Sequence, residues 1–253
     1  MNSQSSAEQK RRLDHILVSR GLAVNREQAH RYILAGLVKV DGRLIDKRAK
    51  LIAESANIVL DLPATSYVSR AGDKLASAIE AFGVDCHDLV AMDIGASTGG
   101  FTDCLLQHGA QRVYAIDVGY GQLDWKIRED PRVVVRERCN IRYLDPGEIP
   151  DRIDVAVIDV SFISLRIVLP CALKFLGNSS SVIMLLKPQF EVGKGQVGRG
   201  GIVRDETQRI MVKDDMLTFA ESLGFTVTGS IDSPVVGRKG NREILISLKN
   251  RKL

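Results

Sequence analysis

Residues 91–103 read AMDIGASTGGFTD and constrain the fold more than any other stretch of the chain. An apolar run over 89–92, continued by Ile94, breaks off at Gly95. The small residues Ala96, Ser97, Thr98, Gly99 and Gly100 follow, and a helical pattern starts at Phe101. A buried strand, a glycine turn and a helix start in that order form the ligand-binding corner of a doubly wound α/β sheet. Glycine lets the backbone approach a ligand that a Cβ would push away. The first turn of the helix adds unpaired N–H groups.

The turn carries neither G-x-G-x-x-G nor G-x-x-x-x-G-K-[ST], so hydride-transfer and phosphate-loop signatures are both absent. Instead Asp93 opens it, and Asp117 ends the next apolar run, 24 positions further on. An acid there is placed to accept hydrogen bonds from ribose hydroxyls. D-x-G-x-x-x-G-G with a ribose acid on the following strand resembles the S-adenosylmethionine-dependent methyltransferases. An ordinary strand–helix turn with a solvated acid is the plainer reading.

The 253 residues suit one large domain and a small one, and 45% hydrophobic with 26% charged is ordinary globular composition. No apolar run approaches bilayer length, and MNSQSSAEQKRR lacks the apolar core of a signal peptide, so a cytoplasmic protein is expected, with no membrane partner. Cys86, Cys104, Cys139 and Cys171 show no C-x-x-C pairing, which points to reduced thiols and no metal site. Charge is uneven: residues 1–52 hold eleven Lys/Arg and five Asp/Glu, a net of +6, leaving the rest at −2 within the whole-chain +4. A basic small domain beside a near-neutral body suits a polyanion grip, or simply a solvated face.

Within residues 12–60, Leu13, Ile16 and Leu17 mark a helix stopping near Gly21. Asn25 is placed to cap a second, with Ala29, Ile33 and Leu34 on its apolar side and Gly36 as its stop. Val38 and Val40, the turn pair Asp41-Gly42 and a later strand over 58–60 follow. Arg12, Arg20, Arg26, Arg31, Lys39 and Arg43 fall on or beside these elements. The run RLDHILVSRGLAVNREQAHRYILAGLVKVDGR resembles the S-four-type RNA-binding domain. The resemblance implies a small α+β domain over 1–60 that holds structured RNA through those six basic residues. Residues 61–66, DLPATS, read as a linker to a second domain over 67–253.

That domain alternates strands (89–94, 112–118, 132–136, 153–159, 181–186, 225–230, 242–248) with helices, notably 99–108, 163–176 and 206–223. The alternation predicts a mainly parallel sheet covered on both faces. SPVVGRKGN is too short for a crossover helix, so the last two strands should pair antiparallel. Ligands of such sheets sit at the carboxyl ends of the strands, here at Gly95, Asp117, Asn140, Asp159 and Lys187. Asn140 either faces a base or only forms a turn. A lysine closing the buried run VIMLLK is costly unless paired, as with Asp159, or working as a base. Lys74 falls where it could be a second cation beside it, and Glu243 where it could orient a lysine or the ribose.

Lys74, Asp159, Lys187 and Glu243 resemble the K-D-K-E tetrad of FtsJ-like RNA 2′-O-methyltransferases. SRAGDKL, DIGASTGGFTD, DVGYGQL, DVSFISL and LLKPQFEVGKGQVGRGGIV extend that resemblance to the TlyA family over almost the whole chain. It implies a Rossmann-like class I methyltransferase domain that uses S-adenosylmethionine on cytidine 2′-hydroxyls of ribosomal RNA, free or in subunits. Lys187 would be the general base and Asp159 its partner, with Lys74 and Glu243 completing the catalytic set. Asp93, Gly95, Ala96, Ser97, Thr98, Gly99, Phe101, Asp117, Val118 and Asn140 would line the cofactor pocket. The absent C-terminal extension leans toward the large subunit, and the N-terminal stretch over 1–10 toward both. The Gly-rich stretch EVGKGQVGRGG reads as an RNA-contacting lid or a plain loop. A binding-only role in assembly and a haemolysin are the readings of other classes, the second lacking any membrane-directed segment. A nicotinamide oxidoreductase is disfavoured by the missing G-x-G-x-x-G.

Overall fold

The computed structural model describes residues 10–23, 25–34, 36–47, 49–61, 67–193, 198, 200–237 and 240–251, without the side chains of Glu27 and Arg31. The chain divides into two units, Met1–Ala64 and Thr65–Leu253. Of the linker expected over 61–66, only Asp61 lies among the described residues.

In the first unit β1 (Lys10–Arg12) leads into α1 (Leu13–Ser19), followed by α2 (Arg26–Leu34), β2 (Val38–Val40), β3 (Arg43–Leu44), β4 (Leu51–Ala53) and β5 (Ile58–Leu60). Leu13, Ile16 and Leu17 share one face of α1 and meet Ala29 and Ile33 of α2 in a buried cluster with Val38 and Ile52. The Asn25 side chain accepts the Gln28 N–H at 2.8 Å, satisfying a donor that the start of α2 leaves free. Asp41 (φ 48°) and Gly42 (φ 77°) close the β2–β3 hairpin. β2 pairs with β3 and β5, and β1 with β4, all antiparallel. The strands β1 and β4 had no counterpart in the sequence reading, since neither KRR nor LIA alternates apolar with polar residues as VKV of β2 does.

The second unit contains α3 (Ala71–Phe82), β6 (Val90–Ile94), α4 (Gly100–Gln107), β7 (Arg112–Ile116), α5 (Trp125–Arg128), β8 (Val133–Arg136), β9 (Ile153–Ile158), α6 (Leu165–Ala172), β10 (Leu176–Leu186), α7 (Pro188–Glu191), α8 (Glu206–Ser222), β11 (Phe225–Asp232) and β12 (Ile244–Asn250). Its seven strands lie in the order β11-β12-β10-β9-β6-β7-β8, parallel except for β12, which runs against both neighbours. This is the Rossmann-like sheet expected, with its last strand antiparallel. Strand residues alternate between two cores. Met92, Ile94, Ile158 and Met184 pack under Leu165 and Leu169 of α6 and Met216 and Ala220 of α8. Ala91, Val157, Ile183 and Leu245 pack under Leu75 and Ala78 of α3 and Phe101 and Leu105 of α4. Burial on both faces is what makes these strands nearly continuous apolar runs.

Strand ends shift by a residue or two, so that β12 starts at Ile244 rather than 242 and Glu243 lies just ahead of it, and two elements differ by more. The helix expected over 163–176 is shorter, and Leu176 already belongs to β10. β10 begins five residues before its expected start at 181, through the polar stretch GNSS, where a register shift interrupts its pairing with β9. The Ser180 hydroxyl donates to the Ile153 carbonyl at 2.6 Å there. That bond depends on the approach of β9, so no apolar pattern announces it.

Candidate active site

Register alone gathers the candidate site residues into a row. Ile94 pairs with Ile116 on one side and Ile158 on the other, so Gly95, Asp117 and Asp159 leave three adjacent strands at one level. Leu186 pairs with Ile244, which places Lys187 opposite Glu243 one step further. The glycine turn is tight. A Cβ on Gly95 (φ 91°) would lie 2.3 Å from the Asp159 carbonyl oxygen, so the position accepts no side chain. Ser97 adopts φ 49° and its N–H donates to Asp117 Oδ2 at 2.8 Å, while the Gly119 N–H donates to Oδ1 at 2.6 Å. A carboxylate has about four lone-pair sites, so Asp117 retains acceptor capacity toward the open side.

Four charged residues form two ion pairs at this mouth. Lys74, from α3, meets Glu243 at 2.5 Å, with side-chain exposures of 11% and 5%. Lys187 meets Asp159 Oδ1 at 2.6 Å, with exposures of 11% and 17%. Lys187 also donates a hydrogen bond to Ser161 Oγ at 3.0 Å. Each ammonium thus has its desolvation offset by a carboxylate. Gly237 packs so closely on Glu243 that a Cβ there would meet Oε1 at 2.4 Å.

Beneath the turn, Asp93 is fully buried and faces α4. The Thr102 hydroxyl donates to its Oδ2 at 2.7 Å, and Oδ1 has no hydrogen-bond partner among the described residues. Burial pushes its carboxyl up to about 7, against the opposing effect of the Thr102 bond and with help from the Asp159 charge. The unfolded chain therefore ionises near pH 4 while the folded protein keeps its proton until about pH 7. Stability is expected to fall as pH rises through that window. Chemical denaturation across pH 4–8 checks this: Asp93→Asn should flatten the slope, and an unchanged slope would assign it to another group.

Asn140 follows β8 and forms a turn, its Oδ1 accepting the Arg142 N–H at 3.1 Å. A turn bond of this kind occupies Oδ1 alone, and no bond to Nδ2 is seen among the described residues. The Phe101 side chain is buried in the core, so only its backbone reaches the helix start. Val118 lies 70% exposed beside Asp117. Of the Gly-rich stretch 191–201, residues 194–197 and 199 lie outside the described residues.

The profile of the FtsJ-like methyltransferases matches residues 67–250, and that of the S4 domain residues 11–58. The chain belongs to the FtsJ-like methyltransferase family. Relatives of this FtsJ-like methyltransferase include the 16S/23S rRNA (cytidine-2′-O)-methyltransferase TlyA of Mycobacterium tuberculosis, 44% identical over 95% of this chain and 90% of the relative. YqxC of Bacillus subtilis, provisionally named an rRNA methyltransferase, is 46% identical over 94% of this chain and 85% of the relative. A solved structure from Streptococcus thermophilus, provisionally named a hemolysin, has TM-score 0.75 and 42% identity over 97% of this chain and 90% of that one. Among the described residues no helix is long and apolar enough to cross a membrane, and no cluster of His, Cys, Asp and Glu could hold a metal ion.

The six basic residues of the S4 unit sort by what they already hold. Arg12 donates to Asp14 at 2.9 and 3.0 Å, and Arg26 reaches the same carboxylate at 3.4 Å. Asp14 is buried within α1, with His30 Nε2 at 2.7 Å. Burial would raise its carboxyl, but Arg12 and His30 outweigh that and hold it well below the usual carboxylate range. Arg20 donates to the carbonyls of Ala56 and Glu54, a clamp across the unit. Lys39 pairs with Asp61 at 2.7 Å on the surface. Arg43 stands exposed on β3 with no partner among the described residues, and the side chain of Arg31 lies outside them. The sequence reading missed Asp14, Ser161 and Glu191. Asp14 carried a signal, as an acid on the apolar face of a helix beside three basic neighbours.

Proposed function

We propose that this methyltransferase transfers the methyl group of S-adenosylmethionine to the 2′-hydroxyl of cytidines in ribosomal RNA, with Lys187 as general base. The observation that carries the reading is the pair of lysine–carboxylate contacts beside a glycine turn that excludes side chains. When bound, S-adenosylmethionine supplies an electrophilic methyl group on a positively charged sulfur. The residues fit such a group: the turn from Gly95 to Gly99 would present backbone groups to it, Asp117 keeps lone pairs that would accept from a ribose diol, and Val118 and Asn140 would flank the base. Ala96, Ser97 and Thr98 offer backbone groups, and Asp93 and Phe101 support the turn from behind. Beside an added cation Lys187 loses its proton more readily, because like charge disfavours the ammonium. It then accepts the proton of the ribose hydroxyl, whose oxygen is a poor nucleophile until that happens. Asp159 and Ser161 hold the amine, while Lys74 and Glu243 hold the target ribose and its phosphate.

The S4 unit supplies affinity for RNA, and a cytoplasmic setting follows from a ribosomal substrate. The test is transfer of labelled methyl to separated ribosomal subunits, with the modified ribose mapped. Label on the large subunit is the expected result; label on the small subunit as well would widen the substrate. No label despite measurable cofactor binding would favour the binding-only role. A lytic role would need membrane disruption by purified protein. For the S4 unit, Arg43→Glu should weaken RNA binding and lower the salt slope by about 1. Binding measured across a salt series checks this, and an unaltered slope would remove Arg43 from the interface.

A further inference from the structure

Lys187 and Asp159 sit on two different loops, and their separation depends on what fastens those loops together. Lys187 caps the one-turn helix α7, so the residue one helical turn later, Glu191, is rigidly linked to it. The Phe190 N–H returns to the Lys187 carbonyl at 2.9 Å and the Val192 N–H to Pro188 at 3.0 Å, which keeps the turn closed. Across from it runs the loop from Asp159 to Ser164. Three contacts join the two. Lys187 meets Asp159 and Ser161 at one end. Phe190 packs on Phe162 in the middle, ring centroids 5.1 Å apart. At the far end Glu191 Oε2 accepts the Ser164 hydroxyl at 2.6 Å and Oε1 accepts the Leu165 N–H at 2.8 Å.

We propose that Glu191 is a positioning residue for methyl transfer: it locks the turn carrying Lys187 to the loop carrying Asp159. The inference rests on Lys187 being the base. Phe162 is 91% exposed, so the aromatic contact lies in water and constrains little. The first contact joins only side-chain ends, one of them a flexible lysine. Glu191 is different, because it binds the backbone of α6, whose Leu165 is 1% exposed in the core. Ser164 cannot swing away either, since its hydroxyl also accepts the Arg166 N–H at 3.1 Å. The backbone of Lys187 is thereby referred to the packed core through one carboxylate. A displacement of about 1 Å at a reacting group can cost about a hundredfold in rate. Loss of a helix cap of purely local effect would lower stability and leave kcat untouched.

The experiment compares full-length Glu191→Ala, Glu191→Gln and Lys187→Ala with wild type in methyl transfer to ribosomal subunits, with S-adenosylmethionine affinity measured by calorimetry. Glu191→Ala is expected to lower kcat roughly 10- to 100-fold, with KM for the subunit and cofactor affinity unchanged within about threefold. Glu191→Gln retains an acceptor for the Leu165 N–H and is expected to recover most of that loss. Wild-type kcat in Glu191→Ala, with Lys187→Ala inactive, overturns the positioning role alone. A fall of kcat and cofactor affinity together with a rise in KM, without recovery in Glu191→Gln, overturns it in favour of a structural cap. Full activity in Lys187→Ala overturns the base assignment and this inference with it.

Discussion

Lys187→Ala is expected to lower the methyl-transfer rate by about three orders of magnitude, within the range a positioned general base contributes. Affinity for S-adenosylmethionine should stay within about threefold of wild type, because the glycine turn and Asp117 are untouched. Removing one member of a buried ion pair normally strands its partner at a cost of about 3–5 kcal/mol. Here the cost is smaller, since Asp159 opens onto the mouth at 17% exposure and water can reach it. Lys187→Arg separates base from counterion. Arginine keeps the charge beside Asp159 but cannot give up a proton near neutral pH. It should be nearly as inactive as alanine. Substantial transfer by Lys187→Arg would mean that the residue acts through its charge alone.

Gly95→Ala is expected to have the largest effect on the fold of the mouth. The position requires φ 91°, a conformation in which a Cβ is strained by about 1–2 kcal/mol. The new methyl would sit 2.3 Å from the Asp159 carbonyl oxygen and 2.9 Å from its carbon, both backbone atoms of a strand end. Relief requires β6 and β9 to part, and overpacking of this kind costs a further 1–3 kcal/mol or so. Together about 3 kcal/mol, or roughly 10 °C in melting temperature, should be lost along with most of the cofactor affinity. Thermal unfolding with and without S-adenosylmethionine checks both. An alanine variant that melts and binds as wild type would show that the two strand ends slide freely.

Much of this was legible in the residues, because the chemistry of the mouth is written at strand ends. Asp117, Asp159 and Lys187 each follow a run too apolar and too short to be anything but a buried strand, so their common level followed from strand alternation. The antiparallel last strand followed from nine residues that leave no room for a crossover. Partnership was only half visible. Lys74 reads as a second cation near Lys187, yet its own contact is Glu243, 169 positions away. Ser161 and Glu191 lie inside motifs that drew notice as strings, but a serine and a glutamate in loops have many plain reasons to be there. What gives them roles is the approach of two loops in space, which no local period encodes. The same holds for Asp14, whose side-chain hydrogen-bond partners come from β1 and α2.

The balance of charge at the mouth has a kinetic corollary. Lys74 and Lys187 are each matched by a carboxylate within 2.6 Å, so this part of the mouth carries no fixed excess of positive charge. On the proposed reading a polyanion would be drawn in by the S4 unit and held there by contacts that compete with dissolved ions. Capture and chemistry would then be divided between different parts of the chain. Added salt should slow the encounter, seen in kcat/KM, and leave the turnover of an already seated substrate almost untouched.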